Sequence, residues 1–139
     1  MHHIVARMLV VAAALATAAC HQLSSTESKL VGDWSMPRGD ASENGVSDTT
    51  HGFDITSLKA DHSFSQTARP VEAPPAHVLS GTWRVTGNEL VMKFTWAHPS
   101  MQEMVGQELR LVISELQPDK FLSANAQNEK QKFIWTRTK

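Results

Sequence analysis

Three side chains are spaced as soft metal donors. In His98-Pro-Ser-Met101-Gln-Glu-Met104 one imidazole and two thioethers recur every third residue, close in sequence to Met92 and Trp96. Such donors suit Cu(I), and on a helical turn the three would share one broad face. The same methionines serve equally well as flexible gap-fillers of an apolar core, with His98 belonging only to the turn that Pro99 begins. No other set of side chains is spaced for chemistry. There is no Gly-x-Ser-x-Gly, no His-Glu-x-x-His and no carboxylate pair that stands out. His51, His62 and His77 are scattered and read as loop residues. No catalytic residue, cofactor or further metal ligand is therefore expected, and the chain reads as a non-enzyme.

The remaining reactive group is the only cysteine, Cys20. It follows Met8-Leu-Val-Val-Ala-Ala-Ala-Leu-Ala16, a short apolar run preceded by Arg7 and followed by the small residues Thr17-Ala18-Ala19. A basic start, an apolar run too short to span a bilayer and a small-residue end make a secretory signal peptide. In an exported chain a lone thiol has no disulfide partner. The stretch ending at Cys20 resembles a bacterial lipoprotein signal, in which the cysteine after the small residues is cleaved at and acylated. Thr17 departs from that pattern, where an aliphatic residue is usual. The alternative is ordinary cleavage after Ala18 or Ala19, which leaves a free thiol. Acylation would hold the protein on a bilayer essentially permanently, because two or more chains act together at about 0.8 kcal/mol per buried methylene. His21 stands where an aspartate would signal retention at the inner membrane, so the resemblance implies the outer membrane, facing the periplasm of a Gram-negative cell.

The elements that would carry these groups follow the leader. Residues 1–19 are signal, 20–28 the acylated cysteine and a polar Ser/Thr-rich tether, and 29–139 the folded domain. The chain from Cys20 has 120 residues (139 minus 19), enough for one core without disulfides. Without Arg7 it carries 12 basic and 14 acidic residues, and no basic cluster, so nucleic acid has no electrostatic footing as a partner.

Short alternating strands separated by polar turns fill the domain. Strands are expected at 29–36, 53–58, 63–68, 77–85, 90–96, 107–116, 121–126 and 132–137. The clearest pair is Leu79–Trp96, turning at Thr86-Gly87-Asn88. Period-two alternation places Leu79, Gly81, Trp83 and Val85, then Leu90, Met92, Phe94 and Trp96, on one face. Leu109, Leu111 and Ile113 share a face of the sixth strand. Pro70, Pro74 and Pro75 break the chain after the third strand, and Asn128-Glu129 turns it before the last. Residues 37–52 form a long polar connection, of the kind that is either functional or a spacer. No helical period extends over ten residues. Strands joined by short links in sequence order make a meander, and eight of them close into a barrel without exposed edges. The expected fold is thus all-β, a single up-and-down antiparallel barrel of about eight strands.

Gly32-Asp33-Trp34 at the start of the first strand resembles the Gly-x-Trp of lipocalins and the wider calycin superfamily. Gly81-Thr-Trp-Arg-Val-Thr-Gly-Asn-Glu-Leu90 is similar to a stretch common in small bacterial lipocalin-like lipoproteins. The resemblance covers about residues 29–137. It implies that an arginine on the last strand, here Arg137, packs over Trp34 and closes the barrel base, and that the interior is the ligand site. It departs from the family in length, in having no disulfide and in showing no terminal helix. Ser80-Gly81 with Arg84 also resembles the Ser-Gly motif of envelope lysozyme inhibitors, although those carry a disulfide and this chain has one cysteine and no tyrosine.

The expected ligand-lining residues are Trp83, Val85, Met92, Phe94, Trp96, Leu111, Ile113 and Trp135. They make either a cup for a small apolar molecule or the filling of a barrel just wide enough for its own side chains. In the second case the barrel is an interaction module, an inhibitor or an assembly or stress factor with an envelope protein as partner. The volume left inside separates the two.

Overall fold

The computed structural model describes residues 22–37 and 51–138; the leader, Cys20 and most of the first long connection lie outside them. The alternation does fold into a barrel. Strands β1 (Gly32–Pro37), β2 (Gly52–Leu58), β3 (Ser63–Pro70), β4 (Ala76–Thr86), β5 (Glu89–Ala97), β6 (Glu108–Ser114), β7 (Lys120–Asn125) and β8 (Asn128–Arg137) each pair with the next in sequence. β8 returns to β1 through Trp34↔Arg137 and Ser35↔Thr136, so the sheet closes.

The turns fall alternately at two ends. At the base lie residues 59–62, 87–88 and 115–119; at the mouth lie 71–75, 98–107 and 126–127. The β4–β5 turn works because Gly87 takes φ +62, which an L side chain rarely adopts. The last turn is at 126–127, two residues before the Asn128-Glu129 expected from composition, and Asn128 already belongs to β8.

Two elements differ from the sequence reading. Residues 25–30 are not tether or strand but a short helix, α1 (Ser25–Leu30), and so the last four residues of the expected 20–28 tether and the start of the expected first strand are helical. A capping box starts it: Glu27 N–H donates to Ser24 Oγ, and Ser24 N–H donates to Glu27 Oε1. Leu30, fully buried, plugs the base. Six residues would not hold a helix alone in water; burial of Leu30 against the barrel does so.

The second difference is a β-bulge. Ser80 pairs with Trp96 but Gly81 pairs with Phe94, which leaves Thr95 as an extra residue in β5. The period slips by one there, so Trp96 turns outward and Ala97 takes the inward place, buried to 1% exposure. Gly81 makes this close approach feasible: a Cβ on it would lie 1.8 Å from the Lys93 carbonyl oxygen. The Gly in Ser80-Gly81 is accounted for by packing.

Candidate functional site

The base is closed by a clasp built from both ends of the domain. Arg137 on β8 lies 4.2 Å from the centre of the Trp34 ring, as the Gly-x-Trp resemblance implied. Its guanidinium also donates to three backbone carbonyls: Nη1 to Val31 (2.9 Å), Nη2 to Lys29 (2.8 Å) and Nε to Pro118 (2.7 Å). Lys29 and Val31 lie at the end of α1, where carbonyls lack intrahelical partners and a cation is favoured. Trp34 Nε1 donates to the Leu30 carbonyl at 2.8 Å. One arginine thus ties the first helix, the β6–β7 turn and the first strand together.

Across the base, Glu27 reaches from α1 to β4. Its carboxylate accepts from Ser24 N–H, from Val85 N–H (3.0 Å) and from His62 Nε2 (3.0 Å). Burial acts to raise its pKa, but the Ser24 and Val85 amides and His62 outweigh that and hold it below its ordinary value. His62 also lies 5.4 Å from Trp83, ring centre to ring centre, and Trp83 Nε1 donates to the Lys59 carbonyl at 2.9 Å. His62 is a turn residue, as expected, but it braces the base.

Aromatic rings fill the lumen above this floor. Trp34 meets Phe121 edge-on at 4.7 Å, Phe121 stacks on Trp135 at 4.9 Å, and Phe64 meets Phe94 edge-on at 5.9 Å. Trp135 satisfies its indole N–H on the buried Ser123 hydroxyl, 2.9 Å away. One space between the rings is a cavity of about 40 Å³ towards the mouth, lined by Met36, Gln66, Met92, Phe94, Leu109, Leu111, Phe133 and Trp135. A water molecule's share of liquid is about 30 Å³ and small-molecule pockets run from about 300 Å³ upward. A cavity of about 40 Å³ has no room for a whole ligand. Larger recesses lie outside it, open to solvent. One of about 520 Å³ runs between α1 and the β6–β7 turn, and one of about 500 Å³ runs along β4 beside His62 and Arg84.

Of the eight residues expected to line a ligand, Met92, Phe94, Leu111 and Trp135 do border the small cavity. Trp83, Val85 and Ile113 pack lower, in or against the core, as does the fully buried Leu90. Trp96 does not face the interior at all, because of the bulge. It is 43% exposed, and its ring stacks on His77, 4.5 Å away and inclined by 13°. His77, at the start of the expected fourth strand, is a residue of β4.

The sequence reading missed Met36, Gln66, Leu109 and Phe133 as cavity-lining residues. Three of them were available from the same alternation, two positions from Trp34, Leu111 and Trp135. Gln66 carried no apolar signal, and its amide nitrogen donates to Asp54 Oδ2 at 3.2 Å.

His98, Met101 and Met104 each have a structural role. His98 precedes a 3-10 segment, Pro99–Met104, and its Nδ1 accepts the Ser100 N–H. Met101 and Met104 are half-buried and packed against the core. Among the described residues no three of His, Cys, Asp or Glu gather as metal ligands. Cys20 lies outside the described residues.

The sequence matches no protein-family model and no curated protein. Solved structures do resemble the fold. One is a lipocalin-like protein from Bacteroides uniformis, 15% identical, with a TM-score of 0.59 over 79% of this chain and 99% of that one. At that identity the likeness is one of fold: the domain is a lipocalin-like barrel.

Proposed function

We propose that this is a non-enzymatic, lipid-anchored protein of the bacterial cell envelope whose packed barrel acts through its outer surface and loops on a partner. The observation that carries this reading is the lumen packed with aromatic rings, where the cavity among the described residues holds about 40 Å³ and a ligand would need several times more. A barrel stiffened by buried tryptophans is a scaffold, and its variable parts are its wall and its loops.

Support for the anchor comes from Cys20 behind its apolar leader. Cys20 precedes α1 by five residues, a reach of at most about 18 Å. An acylated Cys20 would therefore hold the base towards the bilayer and turn the mouth away from it.

The ligand reading survives in a narrower form. Seven of the eight residues around the cavity are apolar, so the mouth suits the end of one apolar chain rather than an enclosed molecule. Native mass spectrometry of protein extracted from membranes tests both proposals at once. The expected spectrum shows acyl chains on Cys20 and no small apolar molecule held in stoichiometric amount. A retained ligand would restore the container, and an unmodified Cys20 would remove the anchor.

A further inference from the structure

Of the four tryptophans, Trp96 is the one that the barrel does not bury. Trp34, Trp83 and Trp135 are all at or below 2% exposure, whereas Trp96 keeps 43%. Continued alternation would have buried Trp96 beyond Phe94; the extra residue Thr95 turns it out instead. Such exposure forgoes a large share of the hydrophobic gain that a tryptophan offers.

The ring is held as a fixed platform. His77 lies nearly parallel to it at 4.5 Å. The imidazole is itself fixed, with Nε2 3.0 Å from the Leu79 carbonyl oxygen and 2.6 Å from Ser80 Oγ. A surface side chain with its orientation set in advance loses little entropy when something stacks on it.

Its surroundings are hydroxyls. Cross-strand pairing puts Trp96 beside Ser80, Ser80 beside Ser65 and Ser65 beside Ser57, one row across four strands on the outer wall. Thr67 pairs with His77 in the next row towards the mouth, and Thr82 with Lys93 in the next row towards the base. From Trp96 to Ser65 the row spans two strand spacings, about 10 Å. It carries no charge between Trp96 and Ser57.

We propose that the Trp96–His77 stack and the Ser80–Ser65 row form a binding site for an uncharged glycan, one sugar ring lying on the indole. The polarised C–H groups on a sugar ring's flat face meet the negative face of an aromatic ring. Serine and threonine hydroxyls both donate and accept, as sugar hydroxyls do. A nucleic acid would need cations along the row, and an apolar ligand would take water from the serine hydroxyls without replacing it. The site rests on the reading that the outer wall, and not the lumen, is the working surface.

Calorimetric titration of the detergent-solubilised mature protein, in a detergent without sugar, tests it with neutral tetrasaccharides of N-acetylglucosamine, glucose, galactose and mannose. At least one should bind saturably. Trp96→Ala should weaken that binding about tenfold or more, and Ser80→Ala about threefold. Trp96→Phe, which keeps a flat ring, should retain most of it. Circular dichroism should be the same in all three variants, because these side chains stand outside the core. Saturable binding to none of the four sugars, or unchanged affinity in Trp96→Ala, overturns the site. A lumenal ligand in the native mass spectrum would count against the packed barrel without touching this result, and absent sugar binding would leave the packed barrel standing.

Discussion

Glu27 shows how much one side chain can do at the floor of a barrel. It caps its own helix and receives a backbone amide from Val85, 58 residues further along the chain. Its folded-state pKa is held below the ordinary glutamate value, so its contribution to stability is present above that ordinary value and is lost as pH falls through the lower folded one. The melting temperature of the wild type should therefore drop more steeply below about pH 5 than that of Glu27→Gln, whose amide does not titrate. Parallel curves would refute the assignment. Glu27→Ala, which leaves the Ser24 and Val85 amides without their acceptor, should cost about 1–3 kcal/mol at pH 7 by urea unfolding. Ser24-x-x-Glu27 has the spacing of a capping box, which the expectation of a tether over 20–28 passed over. The bonds to Val85 and His62 were not legible, because only the closed barrel brings the turn after β2 and the end of β4 to the helix.

At the scale of elements, the strands were legible and their slips were not. Alternation along Leu79–Val85 and Leu90–Phe94 located β4, β5 and their inward face, because each of these residues gains by facing the core. Trp96 kept the period on paper and broke it in the fold. Nothing local marks Thr95 as an extra residue; the cause sits across the ladder, where Gly81 lets the β5 backbone come close. Gly81→Ala should therefore be among the most damaging small substitutions in the wall. Its Cβ would meet Lys93 O at 1.8 Å and the Phe64 ring at 2.9 Å, so backbone as well as side chain must move. We expect a loss of about 2–4 kcal/mol in urea unfolding and a change in the emission of Trp96. A change below about 0.5 kcal/mol would show that the bulge relaxes without cost. The helix was missed for the opposite reason. Residues 25–30 have little periodic signal, and burial of Leu30 rather than helical propensity makes them helical.

For the whole molecule, closure matters more than chain order. Thr138 N–H donates to the Asp33 carbonyl at 2.9 Å, and Arg137 holds Lys29 and Val31, so the two ends of the domain meet at the base. A circular permutant that links residues 138 and 22 with a short flexible joint and opens the exposed 126–127 turn should keep the same far-ultraviolet spectrum. It should unfold in a single transition, about 1–3 kcal/mol less stable. Failure to fold would mean that the β7–β8 hairpin must form first. The eight-strand barrel was readable from turn spacing, and the lumen's fullness was not, since a list of inward residues has no volume until the strands set the diameter. The clasp also imposes a timetable. A chain that emerges amino end first holds β1 with one neighbour only, and α1 without its arginine, until β8 is in place. Until then Trp34, Trp83 and Trp135 have no closed interior to enter, so it is the last strand that completes the barrel.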